Sequence, residues 1–245
     1  MIDLSLCTKR IIPLICDIVD KLCVQNYDVE LKGKGNFVTT TDIAIEDSLI
    51  KELKCIIPQS GFVSEESGEE LSNDYNWIID PIDGTTNYIH GFPYAVSVAL
   101  SYKSINNIVL GVVYSPLNNS IYYACKGKGS YLIRGEKIKK LHTDSNSIDG
   151  IAIFGMPYNR DKTSKILSVV EKYYPFFSDI KRIGPSSLDI CLVAEGKADV
   201  YFELDLKLWD IAAGILILLE AGGDYKQVED LFVFGKTKVI DLFYN

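Results

Sequence analysis

Four runs rich in β-branched and aromatic residues, Trp77–Ile79, Ala95–Tyr102, Ile108–Tyr114 and Ser120–Tyr123, follow one another with short breaks. Turn residues such as Asn106-Asn107 and Ser115-Pro116 separate them, so the runs read as strands of a meandering antiparallel sheet. Ahead of them, Leu4, Ile11, Ile15, Ile18 and Leu22 recur at near-helical spacing. Ala44, Ile45, Leu49, Ile50 and Leu53 do the same after the polar run Thr39–Asp42. Pro13 predicts either a bend in the first helix or its true start. Gly127, Gly129 and Gly135 among lysines predict a hairpin-like ribbon over residues 125–135. The polar stretch His142–Gly150 then marks a boundary between two halves, residues 1–145 and 146–245. The second half reads as a strand (Ile151–Phe154), a helix (Lys162–Tyr173), a helix around Ser187–Ala194, a strand (Asp199–Phe202) and a helix from Asp210 to Glu220 ending at Gly222-Gly223. Period counting alone supports a mixed helix and sheet protein.

Composition narrows the function. With 245 residues, 47% apolar and 24% charged, the chain has the make-up of an ordinary globular protein of one or two domains. Its net charge of -8 predicts a surface that repels nucleic acid and anionic lipid. The longest apolar run, Ile211–Leu219, is shorter than the roughly 20 residues of a membrane span, and a soluble, cytoplasmic chain is expected. The cysteines Cys7, Cys16, Cys23, Cys55, Cys125 and Cys191 form no CxxC pair and sit mostly among apolar neighbours, which fits reduced thiols. Two histidines, His90 and His142, are too few and too far apart for an imidazole zinc centre. No cysteine is followed six positions later by arginine, so a thiolate phosphatase loop is absent. Gly235-Lys236-Thr237 resembles the end of a P-loop, but the position that needs the earlier glycine holds Asp230.

The acidic residues are more informative. In Trp77-Ile78-Ile79-Asp80-Pro81-Ile82-Asp83-Gly84-Thr85-Thr86-Asn87, a buried strand delivers Asp80 to its mouth. Pro81 and Gly84 are expected to set a tight turn that presents Asp83 beside it. Two hard oxygen ligands on one corner suit Mg²⁺, and a pair of such ions about 3.5 to 4 Å apart needs a bridging carboxylate, a place Asp80 fits. The amides of Gly84 to Thr86 fall where a short helix would begin and can receive a phosphate oxygen. A plain surface turn is the alternative. Gly61-Phe62-Val63-Ser64-Glu65-Glu66-Ser67 reads alone as a solvated loop, and the aspartate of Leu208-Trp209-Asp210 as a helix N-cap.

Together these segments resemble the inositol monophosphatase family of Mg²⁺-dependent, lithium-sensitive phosphatases, a superfamily that includes fructose-1,6-bisphosphatases. The resemblance runs from about Leu31 to Gly223 and includes Ala212-Ala213-Gly214, Glu220-Ala221-Gly222-Gly223, Gly111-Val-Val-Tyr-Ser-Pro and Lys126-Gly-Lys-Gly. It implies an α+β fold, a layered αβαβα sandwich with two sheets and flanking helix pairs, commonly assembled as a homodimer. It implies that Glu65, Asp80 and the carbonyl of Ile82 hold one Mg²⁺, that Asp80, Asp83 and Asp210 hold a second, and that a third, weaker ion shares Glu65. Thr85 and Asp42 would orient and deprotonate the attacking water, although Asp42 also reads as a helix cap. Asp83, Gly84, Thr85 and Thr86 would meet the substrate, together with Ser186, Glu203 and Arg182.

The substrate implied is a small phosphorylated polyol or sugar, inositol monophosphate or fructose 1,6-bisphosphate. A 3′(2′),5′-bisphosphate nucleotidase or a non-catalytic regulatory protein of the same fold are the alternatives. Two departures bear on specificity. Gly184-Pro185-Ser186-Ser187 stands where relatives usually place Gly-Thr/Ser-Ala-Ala, and Phe154-Gly155-Met156-Pro157-Tyr158 stands where inositol-preferring relatives carry small hydroxylated residues. Arg182 and Lys207 are read either as binders of a second phosphate or as ordinary surface cations. Glu203 is read either as a polyol ligand or as an exposed strand end.

Overall fold

The computed structural model describes residues 2–23, 27–33, 36–143 and 150–243. A two-stranded hairpin, β1 (Val29–Gly33) and β2 (Asn36–Thr39), precedes the main sheet. That sheet comprises β3 (Gly61–Ser64), β4 (Gly68–Glu70), β5 (Tyr75–Asp83), β6 (Ala95–Tyr102), β7 (Ser104–Ser115), β8 (Ser120–Cys125), β9 (Ser130–Arg134) and β10 (Lys137–Lys140), in the order β10-β9-β8-β7-β6-β5-β3-β4. From β5 to β8 it is the expected antiparallel meander, β9 and β10 extend it antiparallel, and β3 adds to β5 in parallel. The second sheet holds β11 (Ile151–Phe154), β12 (Asp179–Lys181), β13 (Val200–Leu204), β14 (Asp224–Val228) and β15 (Leu231–Gly235), in the order β12-β11-β13-β15-β14.

Helices α1 (Leu4–Leu22), α2 (Thr40–Ile56), α3 (Thr85–Ile89), α4 (Thr163–Tyr173), α5 (Ser186–Ala194), α6 (Leu208–Glu220) and α7 (Thr237–Ile240) complete the fold. Strand alternation sends neighbouring side chains to opposite faces. Ile79, Val98 and Val112 meet Ile11, Ile15, Leu49 and Leu53 of α1 and α2. Ile78, Ala99 and Val113 meet Ile190, Val193, Ala213 and Ile217 of α5 and α6, which also cover Tyr201 and Phe234 of the second sheet. The far face of that sheet, through Ala152, Val200 and Phe202, meets Ile166 and Tyr173 of α4 and Ile240 of α7. The layers are therefore αβαβα, as expected.

Local differences have local causes. α1 runs through Pro13 and starts after Asp3, whose carboxylate caps Ser5 and Leu6. Burial of Ile11 and Ile15 on either side of Pro13 outweighs the lost amide. β5 is longer than Trp77–Ile79 and α6 starts before Asp210. The expected boundary His142–Gly150 falls largely on residues 144–149, outside the described residues. α6 lies hard against the main sheet, since a Cβ on Gly111 of β7 would stand 2.8 Å from the Ala213 carbonyl oxygen. That close approach brings the start of α6 toward the mouth of β5.

Candidate active site

The site is assembled where strands end. β5 keeps ladder register with β6 to Asp80, breaks it, and resumes at Asp83. Pro81 has no amide to give the ladder, so the irregularity falls there. The tight turn expected at Pro81 is instead this bulge, and the chain leaves the strand only at Gly84, whose φ of 86° suits glycine. α3 follows at Thr85, as the sequence predicted. Asp80 and Asp83 are 1% and 7% exposed.

Asp42 does two things at once. As the third residue of α2 it closes a capping box, accepting from the Thr39 amide at 2.8 Å through Oδ2. Its other oxygen accepts the Thr85 hydroxyl at 3.1 Å, and that hydroxyl also lies 3.2 Å from the Ile82 carbonyl. Burial raises the Asp42 carboxyl, while hydrogen bonds from Thr39 and Thr85 pull it back.

Glu65 leaves the end of β3 and Asp210 the first turn of α6, and both are half-buried. Asp210 is not the N-cap; it accepts the Lys207 amide at 2.7 Å through Oδ2 from the third helical position. Burial, then repulsion from Glu65, Asp83 and Asp210, raises the Asp80 carboxyl well above its ordinary range. Asp210 is raised by burial and by Asp83 and Glu65. Burial raises Glu65 while Lys32, 3.2 Å away, opposes it; burial raises Asp83 while donors from Ser187 and Ser186 oppose it. Four carboxylates thus sit within one another's field.

Asp83, Gly84, Thr86 and Asp210 line a cavity of about 700 Å³. Ser186, Glu203, Arg182 and Lys207 line it as well, whereas Glu65, Asp80, Ile82, Thr85 and Asp42 do not form its wall. Glu203 is not an exposed strand end: it is 8% exposed and takes hydrogen bonds from the Tyr201 hydroxyl and from Ser186 Oγ at 3.4 Å. Gly155 leaves room for it, because a Cβ there would lie 1.7 Å from Glu203 Oε2. Arg160 and Tyr158 also line the cavity, and Lys32 reaches Glu65 and Glu66 from β1. Sequence reading passed over Arg160 and Lys32, since neither belongs to a motif. Pro185 precedes α5 and would lie 3.1 Å from a Cβ on Gly84.

A model of the inositol monophosphatase family matches residues 3–240. The chain belongs to the inositol monophosphatase family. It is 38% identical over 212 residues to a fructose-1,6-bisphosphatase/inositol-1-monophosphatase of Aquifex aeolicus, covering 85% of this chain and 79% of that protein. It is 36% identical over 213 residues to the Nus factor SuhB of Escherichia coli, covering 82% and 78%. The solved extragenic suppressor protein suhB of Bartonella henselae superposes with a TM-score of 0.82 at 31% identity, covering 94% of this chain and 92% of that one. Membership in the inositol monophosphatase family places the chain among the phosphoric monoester hydrolases.

The donors present fit a hard divalent cation. All are carboxylate or carbonyl oxygens, and Asp80 Oδ1 is buried with no hydrogen-bond partner. Among the described residues no three acidic, histidine or cysteine side chains are gathered closely enough to form a ready cage. Asp83 and Asp210 each already accept backbone amides, from Ser187 at 2.6 Å and Lys207 at 2.7 Å. All six cysteines are free, and among the described residues no helix is long and apolar enough to cross a membrane.

Proposed function

We propose that the protein hydrolyses a small phosphate monoester by attack of water, with Mg²⁺ as cofactor. The observation that carries this reading is the orphaned, buried Asp80 Oδ1 inside the mutual field of Glu65, Asp83 and Asp210. Glu65, Asp80, the Ile82 carbonyl, Asp83 and Asp210 would hold two or three ions. Bound there, the cation supplies positive charge that makes water a better nucleophile and offsets the charge of phosphate.

The chain's own groups do the rest. Asp42 Oδ2 is tied to the α2 cap, so only Oδ1 can respond, and Thr85 Oγ1 stands against it at 3.1 Å. The pair orients the attacking water and takes its proton, from Thr85 toward Asp42. The amides of Gly84, Thr85 and Thr86 meet the phosphate, and Asp83, Ser186 and Glu203 meet hydroxyls of the esterified polyol or sugar. Arg182 and Lys207 would receive a second anionic group, which favours fructose 1,6-bisphosphate beside inositol monophosphate. We take residues 1–145 and 146–245 as two halves sharing this site, in a cytoplasmic homodimer.

The test is phosphate release with and without Mg²⁺ for wild type and Asp83→Asn. Equal activity in all four cases would sink the mechanism. Inositol 1-phosphate, fructose 1,6-bisphosphate and 3′-phosphoadenosine 5′-phosphate, run side by side, assign the substrate. A second reading, a regulatory protein that keeps the fold, is favoured by one observation, the likeness to a protein named as a Nus factor. Under that reading no phosphate ester turns over and the protein co-purifies with a macromolecular partner.

A further inference from the structure

Three donors from the start of α5 reach one carboxylate more than a hundred residues upstream. The Ser186 amide donates to Asp83 Oδ1 at 3.1 Å, the Ser187 amide to Oδ2 at 2.6 Å, and the Ser187 hydroxyl to the same Oδ2 at 2.5 Å. The platform that carries them is itself held. The Gly184 amide donates to buried Asp189 at 3.2 Å, and Asn87 Nδ2 donates to the carbonyls of Ile183 at 3.0 Å and Pro93 at 2.7 Å. Any residue but proline brings an amide to these places, but only the Ser187 hydroxyl depends on the side chain. Ser187 is fully buried, so this hydroxyl has no solvent to turn to.

Two effects of that hydroxyl oppose each other. It draws charge from the carboxylate, which weakens a cation's hold, and it fixes the carboxylate's direction, which strengthens it. The two amides already draw charge from Asp83, so the third donor adds little of the first effect. The second is needed, because Asp80 and Asp210 repel Asp83 whenever they are ionised, as cation binding requires, and Asp83 borders an open cavity. We propose that Ser187 is a positioning residue: from the C-terminal half it pins Asp83 against that repulsion in the orientation that receives a divalent cation. This rests on the reading that these carboxylates bind Mg²⁺.

Calorimetric titration of MgCl₂ into the full, EDTA-dialysed chain tests it without any substrate. Ser187→Ala is expected to bind Mg²⁺ about tenfold more weakly than wild type, and Ser187→Thr, which keeps the hydroxyl, within about twofold of it. Thermal melts without cation check that both variants are folded. Affinity in Ser187→Ala equal to or tighter than wild type overturns the proposal and leaves the phosphatase reading standing. A wild-type chain that binds no Mg²⁺ overturns both. If Ser187→Ala does not fold, Ser187→Cys decides instead: its weaker donor must also lower affinity, and an unchanged value overturns the proposal.

Discussion

Glu203 lies beside Tyr201, Ser186 and the bare backbone of Gly155, and burial raises its carboxyl from 4.5 to about 7. The folded chain therefore keeps a proton that the unfolded chain releases. Stability from this group is complete below about pH 4.5 and is lost as pH rises toward about 7. Glu65 and Asp83 are shifted the same way by burial. The melting temperature of the cation-free protein is expected to fall between about pH 5 and about pH 8, and Glu203→Gln to flatten part of that slope. A wild-type profile that rises over this range contradicts the assignment. Gly155→Ala puts a methyl onto the Glu203 carboxylate and is expected to cost about 1–3 kcal/mol by denaturant unfolding, with a raised KM. The places of Asp80 at the end of an apolar strand and of Gly84 at a turn were legible because run and glycine lie in consecutive residues, whereas the bulge at Pro81 was not. The bond between Ser187 and Asp83 was not, because a contact across 104 residues leaves no local pattern.

α6 carries Asp210 and is placed by what the main sheet lacks. Gly111→Ala would drive a methyl to 2.8 Å from the Ala213 carbonyl oxygen, where neither strand nor helix can yield cheaply. The expected result is a loss of about 1–3 kcal/mol in stability and weaker activity, since the start of α6 shifts with its middle. Unchanged melting in this variant would show that α6 is not seated by the glycine. Helices α1, α2 and α6 could be read from their apolar spacing, and the meander from its turn residues. The parallel pairing of β3 with β5 could not, because Gly61–Ser64 is too short to show alternation and its partner is chosen by the crossover, not by neighbours in sequence. The end of β5 was misplaced because proline signals a turn, while burial of Pro81 and Ile82 keeps the chain extended.

Across the whole molecule, the proposed cation ligands Glu65, Asp80 and Asp83 lie far in sequence from Asp210, so a cation bound as proposed would join distant parts of the chain. Mg²⁺ at about 100 times its dissociation constant is expected to add about 2.7 kcal/mol to stability. Thermal melts in MgCl₂ against NaCl of equal ionic strength measure this, and Asp83→Asn should remove most of the gain. The layered order followed from period and composition only as a mixed fold; its sequence of five layers depends on which face each helix covers, and that is settled by Gly111, Gly214 and the aromatic face of Tyr201 and Phe234. Lys32 already supplies Glu65 and Glu66 with an ammonium group, so the charge of this corner is partly offset from within the chain. On the proposed reading, a cation held by Glu65 would stand in for the one that Lys32 lends from the hairpin, so affinity at this corner would depend on how tightly β1 holds its lysine there.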